Sequence, residues 1–223
     1  LVLKRSELAG DFITGGQDTV GVRVPDHAVA LGLLAAFEKV GGKGVAAPSA
    51  NRFGHVSPTN AAAVVEEISK YLTKEDLVLD GGPCNVGVES TIIDCTTQTP
   101  IILRPGAITH SMIKDATGIE PDATNKVDTK ASGLLESHYS PSAKVILDQT
   151  PHAGDGFIAL SNIKTPQGVI RLAEPKNNVE YAKVLYQALR SADAQQIKTV
   201  HAHLPTGDDI AQAIIDRLNK SAK

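Results

Sequence analysis

Hydrophobic periodicity runs through this 223-residue chain in two blocks and stops between residues 120 and 142. That stretch, EPDATNKVDTKASGLLESHYSPS, is rich in Asp, Thr, Ser, Lys and Pro. It offers neither the alternation of a strand nor the three-to-four spacing of a helix. A segment with no apolar face has nothing to bury, so it reads as a linker. The fold class expected is therefore α/β in two units, residues 1–119 and 143–223, joined by 120–142. A chain of this length can support two modest cores. Inside the linker the pair His138-Tyr139 is out of character, since an exposed spacer has little use for an aromatic; it either docks on a surface or reaches into a site.

In the first block TVGVRV puts Val20, Val22 and Val24 on one strand face and Thr19, Gly21 and Arg23 on the other. Asp26 precedes a helix whose apolar side is Val29, Leu31, Leu33, Leu34 and Phe37, ended by the glycines of GGKG. GKGVAAP reads as a short buried strand that launches the polar loop AAPSANRFGHVSPT. Ser57 is expected to cap the helix after it, on which Ala61, Val64, Ile68 and Leu72 recur at helical spacing. Unpaired N–H groups at such a terminus favour an anion, phosphate above all. LVLD (77–80), STIIDC and PIILRPG follow as strands, with the glycine-rich GGPCNVGVE between the first two; Thr109 is expected to cap a last helix closed by Gly118.

The second block reads KVILD, GFIAL, GVIRLA and IKTVHAHL as strands, with helices over EYAKVLYQALRSA and DDIAQAIIDRL. It has neither a P-loop nor GxGxxG. His201 and His203 alternate on a strand, but with no third ligand nearby in sequence no metal site is expected. Cys84 and Cys95 lack CxxC spacing, no apolar run is long enough for a membrane span, and a cytoplasmic location is expected. A net charge of −3 and 4% aromatic residues, none of them Trp, disfavour a nucleic-acid surface built on a basic patch and stacking bases.

The candidate polar groups are Thr19, Arg23, Ser49, Asn51, Ser57, Ser90 and Arg104, all at strand ends, on strand faces or in adjoining loops, where α/β sheets place ligands. GxSxG is absent and no serine has an evident base. The chemistry expected is positional: hydroxyls, amides and guanidinium forks hold an anionic substrate, and charge stabilisation supplies the catalysis.

TVGVRVPDH, AAPSANRFGHVSPT, LDGGPCNVGVESTIID and ILRPGAIT resemble, in this order, the YrdC-like domain of threonylcarbamoyl-AMP synthases, over roughly residues 1–115. SHYSP and the α/β unit behind it look like the longer, two-domain form of that enzyme. The resemblance implies a YrdC-like domain lacking its N-terminal part, a linker and a small Rossmann-like domain. It implies conversion of threonine, bicarbonate and ATP to threonylcarbamoyl-AMP and pyrophosphate, for threonylcarbamoyl-adenosine in tRNA. Mg²⁺ would accompany ATP as substrate, with no tightly bound cofactor. ATP would be contacted by Thr19, Ser49, Ser57 and Arg104, with Asn51 completing the serine-x-asparagine signature and Tyr139 covering the nucleotide; threonine would be contacted by Arg23, Ala47 and Ser90. Partners would be these substrates, with contact to RNA or to downstream tRNA-modifying enzymes, and no membrane. The chain opens on Leu1, and the family's lysine-x-arginine motif has no match in it, so the isolated chain is expected to be weakly active or inactive. The alternatives are an RNA-binding module, or a carbamoyl-transfer relative with the same adenylate chemistry.

Overall fold

The structure is a computed structural model that describes residues 1–122, 139–207 and 210–222. His138 and Ser132, Gly133, Leu134 and Leu135 of the expected linker lie outside the described residues.

Residues up to 122 carry a mixed four-stranded sheet. Its strands are β1 (Val2–Lys4), β2 (Thr19–Gly21), β3 (Ile92–Asp94) and β4 (Ile101–Arg104), in the order β2-β1-β3-β4. β1 is antiparallel to β2 and parallel to β3, and β3 is antiparallel to β4 with Ile92 opposite Arg104. Around it lie α1 (Asp11–Thr14), α2 (Ala28–Lys39), α3 (Ala61–Ile68), a 3₁₀ turn over Ser69–Tyr71, and α4 (His110–Thr117). α4 has the expected ends: Thr109 Oγ1 accepts from the Met112 N–H, and Gly118 closes it with φ +70°.

Several local expectations fail in this block, for physical reasons. Ser57 does not cap α3. Asn60 does, accepting from the Ala63 N–H at 2.8 Å, because the helix starts three residues later than the Ser-Pro pair suggests. Asp26 precedes α2 as expected, with His27 at the N-cap and making no side-chain cap bond. Val45–Ala47 and Leu77–Asp80 form no strand and are exposed or nearly so. An apolar run becomes a strand only beside another strand, and none of the described strands lies alongside these two. TVGVRV forms a strand over Thr19–Gly21 and keeps backbone hydrogen bonds to Leu1 at Val22, yet Val22 and Val24 are exposed. The apolar side of α2 forms as a helix, yet none of its residues is buried.

The second block follows the sequence closely. β5 (Lys144–Leu147), β6 (Gly156–Ile158), β7 (Ile170–Ala173) and β8 (Thr199–Ala202) form an all-parallel sheet in the order β5-β8-β6-β7. α5 (Asn178–Ala194) buries Tyr181, Leu185, Ala188 and Ala192 along one row and Ala182, Tyr186 and Leu189 along the next, the spacing of a helix face. α6 (Ala211–Ser221) buries Ile214, Arg217, Leu218 and Ser221. The core they share with the sheet extends to Val56 of the first block and to Tyr139, with Val86, Val88 and Ala107 packed against it. The two blocks therefore meet through apolar contact as well as through the polar network described next.

Candidate functional site

The polar loop singled out by the sequence is held from both sides. Asn51 Nδ2 donates to the carbonyls of Arg52 and His55, closing a turn in which Gly54 adopts φ +81°. Arg52 Nε donates to Glu67 of α3 at 2.8 Å, and Arg190 of α5 reaches the same carboxylate at 3.5 Å and the Val56 carbonyl. Burial pushes the Glu67 carboxyl up, but the Arg52 hydrogen bonds and charge outweigh it, so its pKa lies below the ordinary value. Asn51 Oδ1 is buried with no hydrogen-bond partner among the described residues. A buried acceptor left this way costs about 1–3 kcal/mol, a cost relieved when a donor arrives.

Beyond this loop, at the junction of the two blocks, sits Glu89. Ser57 Oγ donates to it at 2.7 Å, Tyr186 Oη at 2.8 Å and Arg217 Nε at 2.8 Å. Burial raises the Glu89 pKa, but the Arg217 charge and the three donors prevail and hold it below the ordinary carboxylate value. Arg217 is fully buried, and its pKa is raised because Glu89 outweighs the cost of burial. It also donates to the Pro105 carbonyl at 3.0 Å, and its guanidinium lies 5.5 Å from the centre of the Tyr139 ring. Tyr139 is 1% exposed, stacks on Tyr186 with ring centres 5.7 Å apart, and holds φ +62°, an uncommon region for a non-glycine residue. Its carbonyl accepts from Ser221 Oγ at 2.9 Å.

Arg104, at the end of β4, closes the site. It is 4% exposed, donates through Nη2 and Nε to the Ser90 carbonyl at 2.8 and 3.1 Å, and contacts the Tyr139 side chain. Burial lowers its pKa, with Tyr139 and Glu89 opposing that shift and Arg217 adding to it. Arg104, Arg217 and Lys220 against Glu89 and Asp216 leave one positive charge here, next to the exposed Ser90. Such a junction favours an anionic ligand.

The structure thus gathers Ser57, Ser90, Arg104 and Tyr139 of the candidates, with Asn51 in the adjoining turn. Thr19 sits on the edge strand β2 opposite Lys4, at the other side of the sheet from Arg104. Arg23, Ala47 and Ser49 are exposed. Glu89, Tyr186, Arg190 and Arg217 escaped the sequence reading. Glu89 had a signal, as a lone acid at the end of a glycine-rich loop. The other three are spaced on α5 and α6 like core positions, and only packing reveals their polar partners.

A family model described as "Telomere recombination" matches residues 1–106, and one described as "Threonylcarbamoyl-AMP synthase, C-terminal domain" matches residues 108–223. The threonylcarbamoyl-AMP synthase of Pyrococcus abyssi is 44% identical over all of this chain and 69% of its own length. The chain belongs to the threonylcarbamoyl-AMP synthase family. Synthases of that name from Bacillus subtilis and Schizosaccharomyces pombe are each 30% identical, aligned over 94% and 95% of this chain but only 65% and 59% of their own lengths. The chain thus spans about two thirds of the synthases it matches. A crystal structure of P. abyssi Sua5 complexed with L-threonine superimposes on 99% of this chain and 69% of that one, with TM-score 0.82 and 32% identity in the superposition. The α/β architecture expected from the sequence is that of the P. abyssi Sua5 structures.

Proposed function

We propose that this chain belongs to an enzyme that makes L-threonylcarbamoyladenylate from threonine, bicarbonate and ATP, a nucleotidyltransferase serving tRNA modification, and that the isolated chain is weakly active or inactive. The observation that carries the reading is the convergence of Ser57, Ser90, Arg104 and Tyr139 on one positively charged junction, in a chain of this family. The reaction carboxylates the threonine amine; a carbamate oxygen then attacks the α-phosphorus and pyrophosphate leaves. Charge moves onto phosphoryl oxygens in that step, and a buried, pre-positioned guanidinium such as Arg104 stabilises it without reorganisation.

In this reading Ser49, Ser57, Arg104, Tyr139 and Thr19 contact ATP, Arg23, Ala47 and Ser90 contact threonine, and Asn51 Oδ1 accepts a ligand donor. Thr19, on the edge strand β2, and the exposed Arg23, Ala47 and Ser49 lie outside the Ser90–Arg104 cluster. Mg²⁺ enters with the polyphosphate and keeps water ligands. Glu89, the carboxylate nearest Arg104 in this cluster, is already committed to Ser57, Tyr186 and Arg217. Contact with RNA or a downstream tRNA-modifying enzyme belongs to the same proposal, and the work is cytoplasmic; no helix among the described residues is long and apolar enough to cross a membrane.

Calorimetric titration of Mg-ATP, with and without threonine, tests the reading. Threonine is expected to tighten ATP binding, and Arg104→Ala to weaken it by about 10- to 100-fold, the loss of one charged hydrogen-bond donor. ATP binding indifferent to both threonine and Arg104→Ala would overturn it.

A further inference from the structure

A second cluster lies in the other block, away from Arg104. His152, Asp155 and His201 bring one ligand atom each within 4.8 Å of one another. The topology explains how. β5 and β6 are parallel but not adjacent, with β8 between them, so the 148–155 connection crosses β8 without a helix of its own. Alternation along β8 sends Val200 and Ala202 into the helix-covered core and His201 to the crossed face, where it is 3% exposed. Within the crossover the His152 N–H donates to Asp155 Oδ2 at 2.9 Å and the Asp155 N–H to the His152 carbonyl at 3.0 Å. Gly154, at φ +90°, makes that tight turn possible and sets both side chains over His201.

We propose that these three residues form a site for a divalent transition metal, Zn²⁺ first, which pins the crossover to the sheet. His201 Nδ1 lies 3.1 Å from the Gln149 carbonyl, which can only accept, so this nitrogen carries the hydrogen. In the neutral ring the Nε2 lone pair then points at Asp155 Oδ2, 3.2 Å away. Two acceptors at that distance need a cation between them. A proton would serve the pair alone, but a second imidazole, His152 Nδ1, lies 3.6 Å from the same oxygen. Three donors around one point suit a metal. Tetrahedral zinc with bonds of about 2.0–2.1 Å sets its ligand atoms about 3.4 Å apart, close to both measured separations. The carbonyl behind His201 is the outer support that metal-bound histidines ordinarily have. Two imidazoles and one carboxylate favour zinc over magnesium or calcium, and the 89%-exposed His152 side chain leaves the fourth position to water. His203, the partner suggested by the sequence, faces Asp148 instead.

The test is titration of the full 223-residue chain with Zn²⁺ by calorimetry and with Co²⁺ by visible absorption, for wild type, His152→Ala, Asp155→Asn and His203→Ala. Expected are one saturable equivalent, a tetrahedral Co²⁺ band and a higher thermal midpoint with Zn²⁺. His152→Ala and Asp155→Asn should each weaken binding by at least about tenfold, the loss that even an outer support causes. Both should fold, because His152 is exposed and Asn keeps an acceptor for the His152 N–H. His203→Ala should bind like wild type. Absence of saturable binding, or binding that His152→Ala and Asp155→Asn leave intact, overturns the site and leaves a proton-bridged His201–Asp155 pair.

Discussion

Glu89 carries the junction because one carboxylate satisfies three donors from three parts of the chain: Ser57, Tyr186 and Arg217. Removing it leaves the buried guanidinium with Asp216 as its remaining charge partner and strips Ser57 and Tyr186 of their acceptor. Glu89→Ala is therefore expected to lower unfolding stability by about 3–5 kcal/mol in denaturant titrations, the range for breaking a buried pair from one side. Its pH dependence has a definite sign. The folded-state pKa lies below the ordinary value of 4.5, so the contribution is fully present above that value and is lost as pH falls through the folded pKa. Denaturant midpoints followed from neutral pH downward should drop steeply in wild type on the acid side. In Glu89→Gln they should be lower at pH 7 and flatter below pH about 5, since the glutamine has no proton to take up. Glu67 shifts the same way and supplies the residual slope.

Among the elements, the glycine-rich loop before β3 is seated on α5 at Gly87. This glycine is at φ +86°, and a Cβ there would lie 2.4 Å from the Ala182 carbonyl oxygen and 2.5 Å from Lys183 Cα. Both atoms belong to helix backbone, which cannot swing aside. Gly87→Ala should therefore push the loop off α5, at a cost of about 1–3 kcal/mol. Hydrogen exchange should speed up at residues 86–91, while the helix α5 itself keeps its protection from the core beneath it. An unchanged exchange pattern across 86–91 would show that the loop does not rest on the helix.

On the scale of the whole molecule, the two blocks bury their surface unequally. α5 buries seven residues and α2 none, with Val29, Leu31, Leu33 and Phe37 of α2 between 39% and 49% exposed. Protection against exchange follows buried contact, so α2 amides in the isolated chain are expected to exchange on the order of 10² times faster than those of α5. Comparable rates would mean that α2 is covered in solution.

The sequence by itself determined the division into two α/β blocks, all four strands and both helices of the second, the Thr109 and Gly118 ends of α4, and the motifs that place the chain in its family. These are local signals: periodicity, capping chemistry and contiguous words of sequence. It also named four residues that the structure brings together at the junction, because Ser57, Ser90, Arg104 and Tyr139 stand inside those words. Tertiary structure alone decided the rest. Whether Val45–Ala47 or Leu77–Asp80 becomes a strand depends on a neighbour to pair with, which no local pattern encodes. Ser57 reads as a cap until a carboxylate 32 positions away takes its hydroxyl proton as a hydrogen bond. Arg217 has the spacing of a core residue, and only the packing of α6 against Glu89 and Tyr139 makes a buried charge tolerable there. His201 finds Asp155 and His152 only because strand order forces the chain across β8; contacts between distant residues are properties of the topology.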